Sequence, residues 1–441
     1  MTLEASIRLH AQNTPSRPAI ICGSDTMTYG ELWEAIERRG RELEAAGLKA
    51  CRPYVFENPQ NADFIVTYCA IHNIGAVAVP LEKDVPREKF QAIVAELENC
   101  SFGPEIKDIL YTTGTTGKSK GVMLSSTCLE ACADNFISDL HFSSELCFII
   151  CGPLNHIASL FKIHPVLTAG GCIYVLDGLK DLNAFYDVFN LPFSKFATFL
   201  VPASIRMLMQ FSYQKLCSLA DRIDFIETGA APITHEDMKK LAEALPKSRL
   251  YNTLGGTEIG CVSTYDFNDG KYMEGCIGRP LKNCTLDILE DGSIVVSGRT
   301  IMSGYVNDPE LTAQVMKDGR IYGSDLGYYD EDGLIHLKGR RGDIINVGGF
   351  KVNPVDVENA ALSFKGISDC ICVAAKHPVI GTVPKLLYVA ENGVELDKKM
   401  LIAHLRQILE AHKIPVYFEA VDKIQRTFNG KLDRKWYRNE K

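Results

Sequence analysis

The segment YTTGTTGKSKGV, Tyr111 to Val122, carries the densest chemistry in the chain. Gly114 and Gly117 stand among Thr112, Thr113, Thr115, Thr116 and Ser119, with Lys118 and Lys120 close behind. Glycines let backbone N–H groups turn toward an anion, hydroxyls add donors, and ammonium groups add charge against phosphate. The order GTTGKS looks like the end of a Walker A loop, but that motif needs a glycine five positions before its Gly-Lys pair. Thr112 stands there, so a Walker A loop is excluded. A solvated Thr/Gly loop is the other reading of this stretch alone.

Further along, other stretches combine polar side chains with turn formers: PLNHIAS with His156, LGGTE with Thr257 and Glu258, YGSDLG with Asp325, and RTFNGKLDRK with Lys431. Each also has a plain structural reading. Thr257 and Glu258 suit a helix start, as a cap and a first-turn acid. Asp325 suits a turn before Gly327, and Lys431 a solvated, charged C-terminus.

The elements that must position these residues alternate. MTYGELWEAIERRGRELEAAGLKA reads as a strand end and a helix with Leu32, Ile36 and Leu43 on one face and Gly47 just past its end. ADFIVTYCAIHNIGAVAVPL reads as an apolar helix from Phe64 to Ile71, then Gly75 and a buried strand. SKFATFLVPASIRMLMQ and RIDFIETGAAPITHEDMKKLAEAL repeat strand, loop and helix, which implies an α/β architecture with a largely parallel sheet. From about Lys271 the texture becomes short strands around Asp-Gly turns, a β-rich region. Beyond GRRGDIINVGG come a helix (NPVDVENAALSF), two strands, and an amphipathic helix over LDKKMLIAHLRQILEAHK, a small α+β unit of about 100 residues. The boundary falls near Gly342.

Composition narrows the function classes. A chain of 441 residues has room for about two or three domains and a large core. The net charge of −8 lacks the basic footprint of a nucleic-acid binder. No apolar run approaches the ~18 residues that span a bilayer, and the N-terminus lacks a signal-peptide pattern, so a cytoplasmic protein is expected. The 15 cysteines are odd in number, lie in apolar stretches and form no Cys-x-x-Cys pair. They read as reduced core residues rather than metal ligands.

Seven stretches in order, YTTGTTGKSKGV, PLNHIAS, TGAAPI, LGGTE, YGSDLG, GRRGDIINVGGFKVNP and RTFNGKLDRK, together resemble the AMP-forming adenylating superfamily. That superfamily includes acyl- and aryl-CoA synthetases, peptide-synthetase adenylation domains and luciferases. The resemblance runs from MTYGEL to Lys431. It implies a large N-terminal domain, residues 1–341, of mixed, mostly parallel sheets with helices plus a β-rich subdomain. A small mobile α+β domain, residues 342–441, would follow. It also implies a reaction: a carboxylic acid and ATP give acyl-AMP and pyrophosphate, with Mg²⁺, and coenzyme A or a carrier-protein pantetheine then takes the acyl group.

The resemblance assigns roles by position. The loop from Thr112 and Thr113 through Gly114, Thr115, Thr116 and Gly117 to Lys120 would hold the β- and γ-phosphates, with Ser119 where relatives usually have proline. Thr257 would bind a phosphate oxygen and Glu258 Mg²⁺. Gly229, Ala230 and Ala231 would line adenine and acyl group, with Leu254, Gly255 and Gly256 beside them. Leu254 stands where a tyrosine commonly stacks on adenine, a loss of roughly 0.5–1.5 kcal/mol. Asp325, acceptor-only when ionised, would bond both ribose hydroxyls, with Arg340 in support. His156 would lie near the carboxylate and α-phosphate. Asn155, His156, Gly229, Ala230, Asn252 and Thr253 would form the acyl wall. Lys431 would be the catalytic lysine, with Gly430 allowing close approach and Gln425 replacing a proline. Gly342 would be the swivel on which the small domain turns between half-reactions. Pro354 points to the CoA-ligase branch. A rival is an inactive nucleotide-binding scaffold, suggested by Leu254 and by the short segment Glu82 to Leu110, trimmed relative to the family.

Overall fold

The computed structural model describes residues 1–57, 59–113, 119–347, 350–379, 381–391, 394, 396–426 and 432–439, excluding the side chains of 113, 435, 438 and 439. Helix Tyr29–Ala45 begins on a reciprocal cap: Thr28 Oγ1 accepts from Glu31 N, and Glu31 Oε2 accepts from Thr28 N at 2.8 Å. It buries Leu32, Ile36 and Leu43, the expected face, and Gly47 follows with φ 98°. The apolar helix runs Ala62–Ile74, longer at both ends than its apolar run. Asn61 caps it, and left-handed Gly75 ends it with φ 82°. Residues 64–72 are all buried, as an all-round apolar helix requires.

Two sheets form the large N-terminal part. In the first, strands Pro18–Cys22, Cys172–Val175, Leu146–Ile150, Lys195–Phe199, Ile223–Gly229 and Arg249–Gly256 lie side by side and parallel. From Gly260–Asp266 onward the added strands are antiparallel, building the β-rich half expected after Lys271. The second sheet orders its five strands as Gly304–Tyr305, Ser119–Ser125, Ile106–Thr113, Val77–Leu81 and Pro53–Glu57. The short segment after Val77–Leu81 contains one helix, Arg87–Leu97, and returns to pair parallel at Ala78↔Asp108. A single helix therefore makes this crossover.

The smaller C-terminal α+β part has a sheet of Ile367–His377, Gly381–Ala390 and Tyr417–Ala420, covered by helices Pro354–Leu362 and Lys398–Ile408. The last of these is shorter than its sequence pattern. Leu409 turns extended, with ψ 147°, and Ala411–Lys413 forms a separate short turn of helix. Every described cysteine is a free thiol. No helix among the described residues is long and apolar enough to cross a membrane, and no group of three or more potential metal ligands occurs among them.

Candidate active site

Open α/β sheets bind ligands outside the carboxyl ends of their parallel strands. Several expected residues lie there. Gly229 ends its strand opposite Thr253 of the next. A Cβ on Gly229 would come 2.6 Å from the Thr253 carbonyl oxygen, so the two strands close only on glycine. Ala230 follows with φ 65° and is exposed, a left-handed conformation costing a non-glycine residue roughly 1–2 kcal/mol. Strain of this kind collects where a backbone is shaped for a ligand.

His156 caps helix Ile157–Ala169, its Nδ1 accepting from Ala158 N at 3.4 Å. The chain leading to it is clamped by Gln60, which sequence reading missed. Gln60 Nε2 donates to the carbonyls of Gly152 and Leu176 at 2.9 and 3.0 Å, and Oε1 accepts from Leu154 N at 3.0 Å. Asn155 and His156 are both half-buried.

The strand residues expected in the acyl wall divide by strand alternation. Thr253 shares its face with Tyr251, in the core on the side of helix Ile157–Ala169. Asn252 and Leu254 point to the other face. Asn252 Nδ2 donates to the Cys276 carbonyl at 2.7 Å, and Leu254 packs against the apolar cluster that includes Val262, Ile277 and Leu286. Asn252 therefore braces a neighbouring strand, on the face opposite Gly229 and Thr253.

Thr257 and Glu258 do not start a helix. They sit in the turn joining antiparallel strands Arg249–Gly256 and Gly260–Asp266. Gly255 suits this turn, since a Cβ there would meet the Gly260 carbonyl at 2.9 Å. Glu258 Oε1 accepts from the Tyr305 hydroxyl at 3.1 Å, and Glu258 O accepts from Met302 N at 2.9 Å. Tyr305 pairs in turn with Val122, and the Lys120 ammonium lies 5.5 Å from its ring centroid. Burial, then the Glu258 charge, pushes the Tyr305 phenol well above its usual range. Tyr305 was invisible as a site residue, since its two-residue strand carries no local signal.

Lys120 belongs to the hairpin of Ile106–Thr113 and Ser119–Ser125, with Thr112 opposite Lys120 and Thr113 opposite Ser119. Ser119 Oγ donates to the Thr112 carbonyl at 3.3 Å. Gly114, Thr115, Thr116, Gly117 and Lys118 lie outside the described residues.

Asp325 and Arg340 face each other on adjacent antiparallel strands, with Arg340 Nε donating to Asp325 Oδ1 at 2.9 Å. The Asp325 charge is the main cause raising the Arg340 guanidinium, and Glu258 adds to it, so the three groups share one electrostatic neighbourhood. Gly342 lies in the exposed turn two residues on; a Cβ there would meet nothing within 4 Å.

Gly430 and Lys431 also lie outside the described residues, but both flanks of their segment are held. Arg426 bridges to Leu432 and bonds both Asp369 carboxylate oxygens at 2.8 Å. Arg434 makes a fork to buried Glu358, both bonds at 2.7 Å, and donates to the Cys372 carbonyl at 2.8 Å. Bidentate pairs of this kind fix geometry as well as adding energy. A glutamate inside the apolar run PVDVENAAL was the signal that could have found this anchor.

Residues 7–100 and 106–306 match the AMP-binding enzyme family, and residues 356–431 match the AMP-binding enzyme C-terminal domain. The chain belongs to this family of acyl-adenylate-forming enzymes. Among curated relatives, it is 27% identical over 479 residues to a feruloyl-CoA synthase from Amycolatopsis sp, covering 96% of this chain and 95% of that one. It is 25% identical over 509 residues to tyrocidine synthase 3 of Brevibacillus parabrevis, covering 98% of this chain and 8% of that much longer one. ATP-bound MatB from Rhodopseudomonas palustris shares its fold, with TM-score 0.89, 22% identity and coverage of 100% and 99%.

Proposed function

We propose that the protein is an ATP-dependent acid–thiol ligase that converts a carboxylic acid to acyl-AMP and pyrophosphate, then passes the acyl group to coenzyme A. The observation that carries this reading is the meeting of the Thr112–Lys120 hairpin with Tyr305 and Glu258. It sets an ammonium and a carboxylate about one tyrosine ring, on strands that flank in sequence a stretch rich in phosphate-binding residue types.

In this reading, a carboxylate oxygen attacks the α-phosphorus of ATP, and the bond to the pyrophosphate oxygen breaks. Lys120 and the 114–118 loop hold the leaving phosphates, and Thr257 donates to one of their oxygens. Asp325 accepts from the ribose hydroxyls while Arg340 holds its carboxylate in place. Gly229, Ala230 and Ala231 form the ledge for adenine and acyl group, with Gly255 and Gly256 opposite. His156, Asn155 and Thr253 border the carboxylate. Lys431 spreads its charge over the carboxylate and α-phosphate oxygens as they approach. Such positioned charge is the main resource of enzymes that have little covalent chemistry of their own.

Glu258 fits a Mg²⁺ role. One carboxylate oxygen accepts from Tyr305, and the other has no hydrogen-bond partner among the described residues. Mg²⁺ in nucleotide sites is commonly held by one or two carboxylates together with substrate phosphates, and it neutralises charge growing on them.

In the second half-reaction a thiolate attacks the acyl carbonyl and AMP leaves. Coenzyme A as acceptor is supported by Pro354 and by the name of the feruloyl-CoA synthase relative. The likeness to tyrocidine synthase 3 supports a second reading, transfer to a carrier-protein pantetheine. Residues 342–441 would swivel on Gly342 between the two half-reactions. A cytoplasmic location accords with the free thiols.

Acid-dependent ATP–pyrophosphate exchange across a panel of carboxylic acids tests the reading, followed by thioester assay with free coenzyme A. Exchange without thioester formation selects the carrier-protein reading. Absence of exchange with every acid selects the inactive scaffold.

A further inference from the structure

Tyr68, His72, Asp108 and His164 are buried polar side chains that the proposed chemistry does not use. They form one continuous chain between helix Ile157–Ala169 and strand Ile106–Thr113. Tyr68 Oη donates to Asp108 Oδ2 at 2.7 Å and lies 2.8 Å from His164 Nε2. His72 Nε2 lies 2.7 Å from the other carboxylate oxygen, Asp108 Oδ1. Tyr68 and Asp108 are wholly buried. A phenol has one proton, and Asp108 takes it, so His164 Nε2 carries a proton of its own and donates to Tyr68 Oη. Burial, then the His72 charge, holds the His164 imidazole at about 4, so the donor is neutral.

The two elements that this chain joins belong to different sheets. The strand lies in the five-stranded sheet, while the helix packs on Leu146–Ile150 and Cys172–Val175 of the larger one. No backbone ladder among the described residues connects those sheets. Both elements nevertheless end at the site. On the strand, Asp108, Leu110 and Thr112 alternate onto one face, opposite Leu124, Val122 and Lys120. Lys120 thus stands about 13 Å along that face from Asp108, where its ammonium meets the Tyr305 ring and Tyr305 meets Glu258. On the helix, His164 lies about 12 Å along the axis from His156 at the N-terminus. Two rails of nearly equal length therefore run from Tyr68, one to the phosphate hairpin and one to the His156 end.

We propose that the tie from His164 through Tyr68 to Asp108 holds the phosphate hairpin and the His156 end of the helix in register for attack of the carboxylate on ATP, which makes Tyr68 a positioning residue for adenylation. The inference rests on the ligase reading above. Each substrate could occupy its own side without the tie. The attacking oxygen and the α-phosphorus must still meet along one line, so a small relative shift of the two sides costs rate rather than affinity. The second half-reaction starts from acyl-AMP, in which the two are already bonded, and does not depend on that register. A buried charge is a poor route to stability, since apolar groups of the same shape often serve as well. A fully bonded buried network instead fixes one arrangement of the elements it joins.

Two assays on the full chain read the tie: pyrophosphate exchange with acetate, octanoate, benzoate and cinnamate as probe acids, and thioester formation from the corresponding acyl-AMP with coenzyme A or pantetheine. Tyr68→Phe removes the hydroxyl and keeps the ring. It should lower kcat for exchange by about 10- to 100-fold, leave KM for ATP and for the acid within about threefold, and leave thioester formation from supplied acyl-AMP near that of the wild type. His164→Leu should do the same, and His164→Gln, whose Nε2 can stand in for the imidazole donor, should recover most of the rate. A merely structural cluster would lower melting temperature alone, or both half-reactions together, with Gln no better than Leu. Exchange kcat within about twofold of the wild type in folded Tyr68→Phe, equal losses in both half-reactions, or no advantage of His164→Gln over His164→Leu would each overturn the tie and leave the ligase reading standing. If Tyr68→Phe does not fold, the two His164 variants decide, and if none of these variants folds, the cluster serves the core and the proposal falls. Absence of wild-type exchange with every acid would overturn the ligase reading and the tie with it.

Discussion

The Tyr305 hydroxyl donates to Glu258 Oε1 across 3.1 Å, joining the turn that carries Thr257 to the edge strand beside the Thr112–Lys120 hairpin. A hydrogen bond to a charged group contributes about 1.5–3 kcal/mol. Tyr305→Phe keeps the ring against Lys120 and removes only that bond. It should lower kcat/KM for pyrophosphate exchange roughly tenfold or more, mostly through ATP and Mg²⁺ dependence, with little change in melting temperature. Unaltered Mg²⁺ titration in Tyr305→Phe would show that the bond has no part in metal binding.

Lys431 acts on the first half-reaction alone in the proposed mechanism. Lys431→Ala should lose adenylation by several powers of ten while thioester formation from supplied acyl-AMP stays near normal. Arg434→Met should give a milder version of the same split, because it loosens the anchor at Glu358 without removing the ammonium. Equal losses in both half-reactions for Lys431→Ala would count against the assignment.

Gly342 has open space where a side chain would go, and its φ lies outside the left-handed region. Proline there restricts φ to near −65° and removes an N–H. Gly342→Pro should keep acid-dependent pyrophosphate exchange and lose thioester formation, because the backbone could no longer take up the second geometry. Full thioester synthesis by this variant would rule the residue out as the swivel.

Stability should fall on the alkaline side through His72. Its Nε2 lies 2.7 Å from Asp108 and its Nδ1 3.2 Å from Glu4, all inside the core between helices Leu3–Asn13 and Ala62–Ile74 and strand Ile106–Thr113. Burial alone would lower the imidazole, but the Asp108 charge and the bonds to Asp108 and Glu4 lift it from 6.5 to about 9. A raised folded value means the contribution is whole below 6.5 and is lost as pH rises through about 9. Glu4 behaves oppositely. Burial would raise it, yet its bond to His72 and the His72 charge hold it at about 2, so its contribution is whole above 4.5 and lost as pH falls toward 2. Melting temperatures of the wild type and His72→Gln should therefore differ most between pH 4.5 and 6.5, where both contributions are whole, and converge above about 9. Parallel pH profiles for the two proteins would refute the linkage.

The sequence pattern made much of this legible where the signal is local. Glycines at strand ends, Asp-Gly hairpins and helical apolar faces all stand where their spacing puts them, because each depends on residues within one turn or one strand. What escaped depends on distant partners. Tyr305 reaches Glu258 from 47 residues away, Gln60 clamps Leu154 from 94, and Lys162 meets Glu227 only because a helix lies on a strand. The plain structural alternative for Thr257 and Glu258, a helix start, is not realised because Gly255 and Gly256 favour a tight turn between strands over a cap. Asn252 and Thr253 were both expected on the acyl wall, and strand alternation sends these neighbours to opposite faces.

Helix Ile157–Ala169 holds three duties in thirteen residues. His156 caps its N-terminus, Lys162 meets Glu227 along its length, and His164 Nε2 lies 2.8 Å from the Tyr68 hydroxyl, which donates to Asp108 in the strand Ile106–Thr113. For laboratory evolution this makes the helix a point of strong epistasis. Substitutions that reshape the acyl end will also move the strand that feeds the nucleotide loop, so a graft from a relative should succeed only when Tyr68 and Asp108 travel with it, and libraries confined to the helix will be dominated by variants that trade one substrate's affinity against the other's.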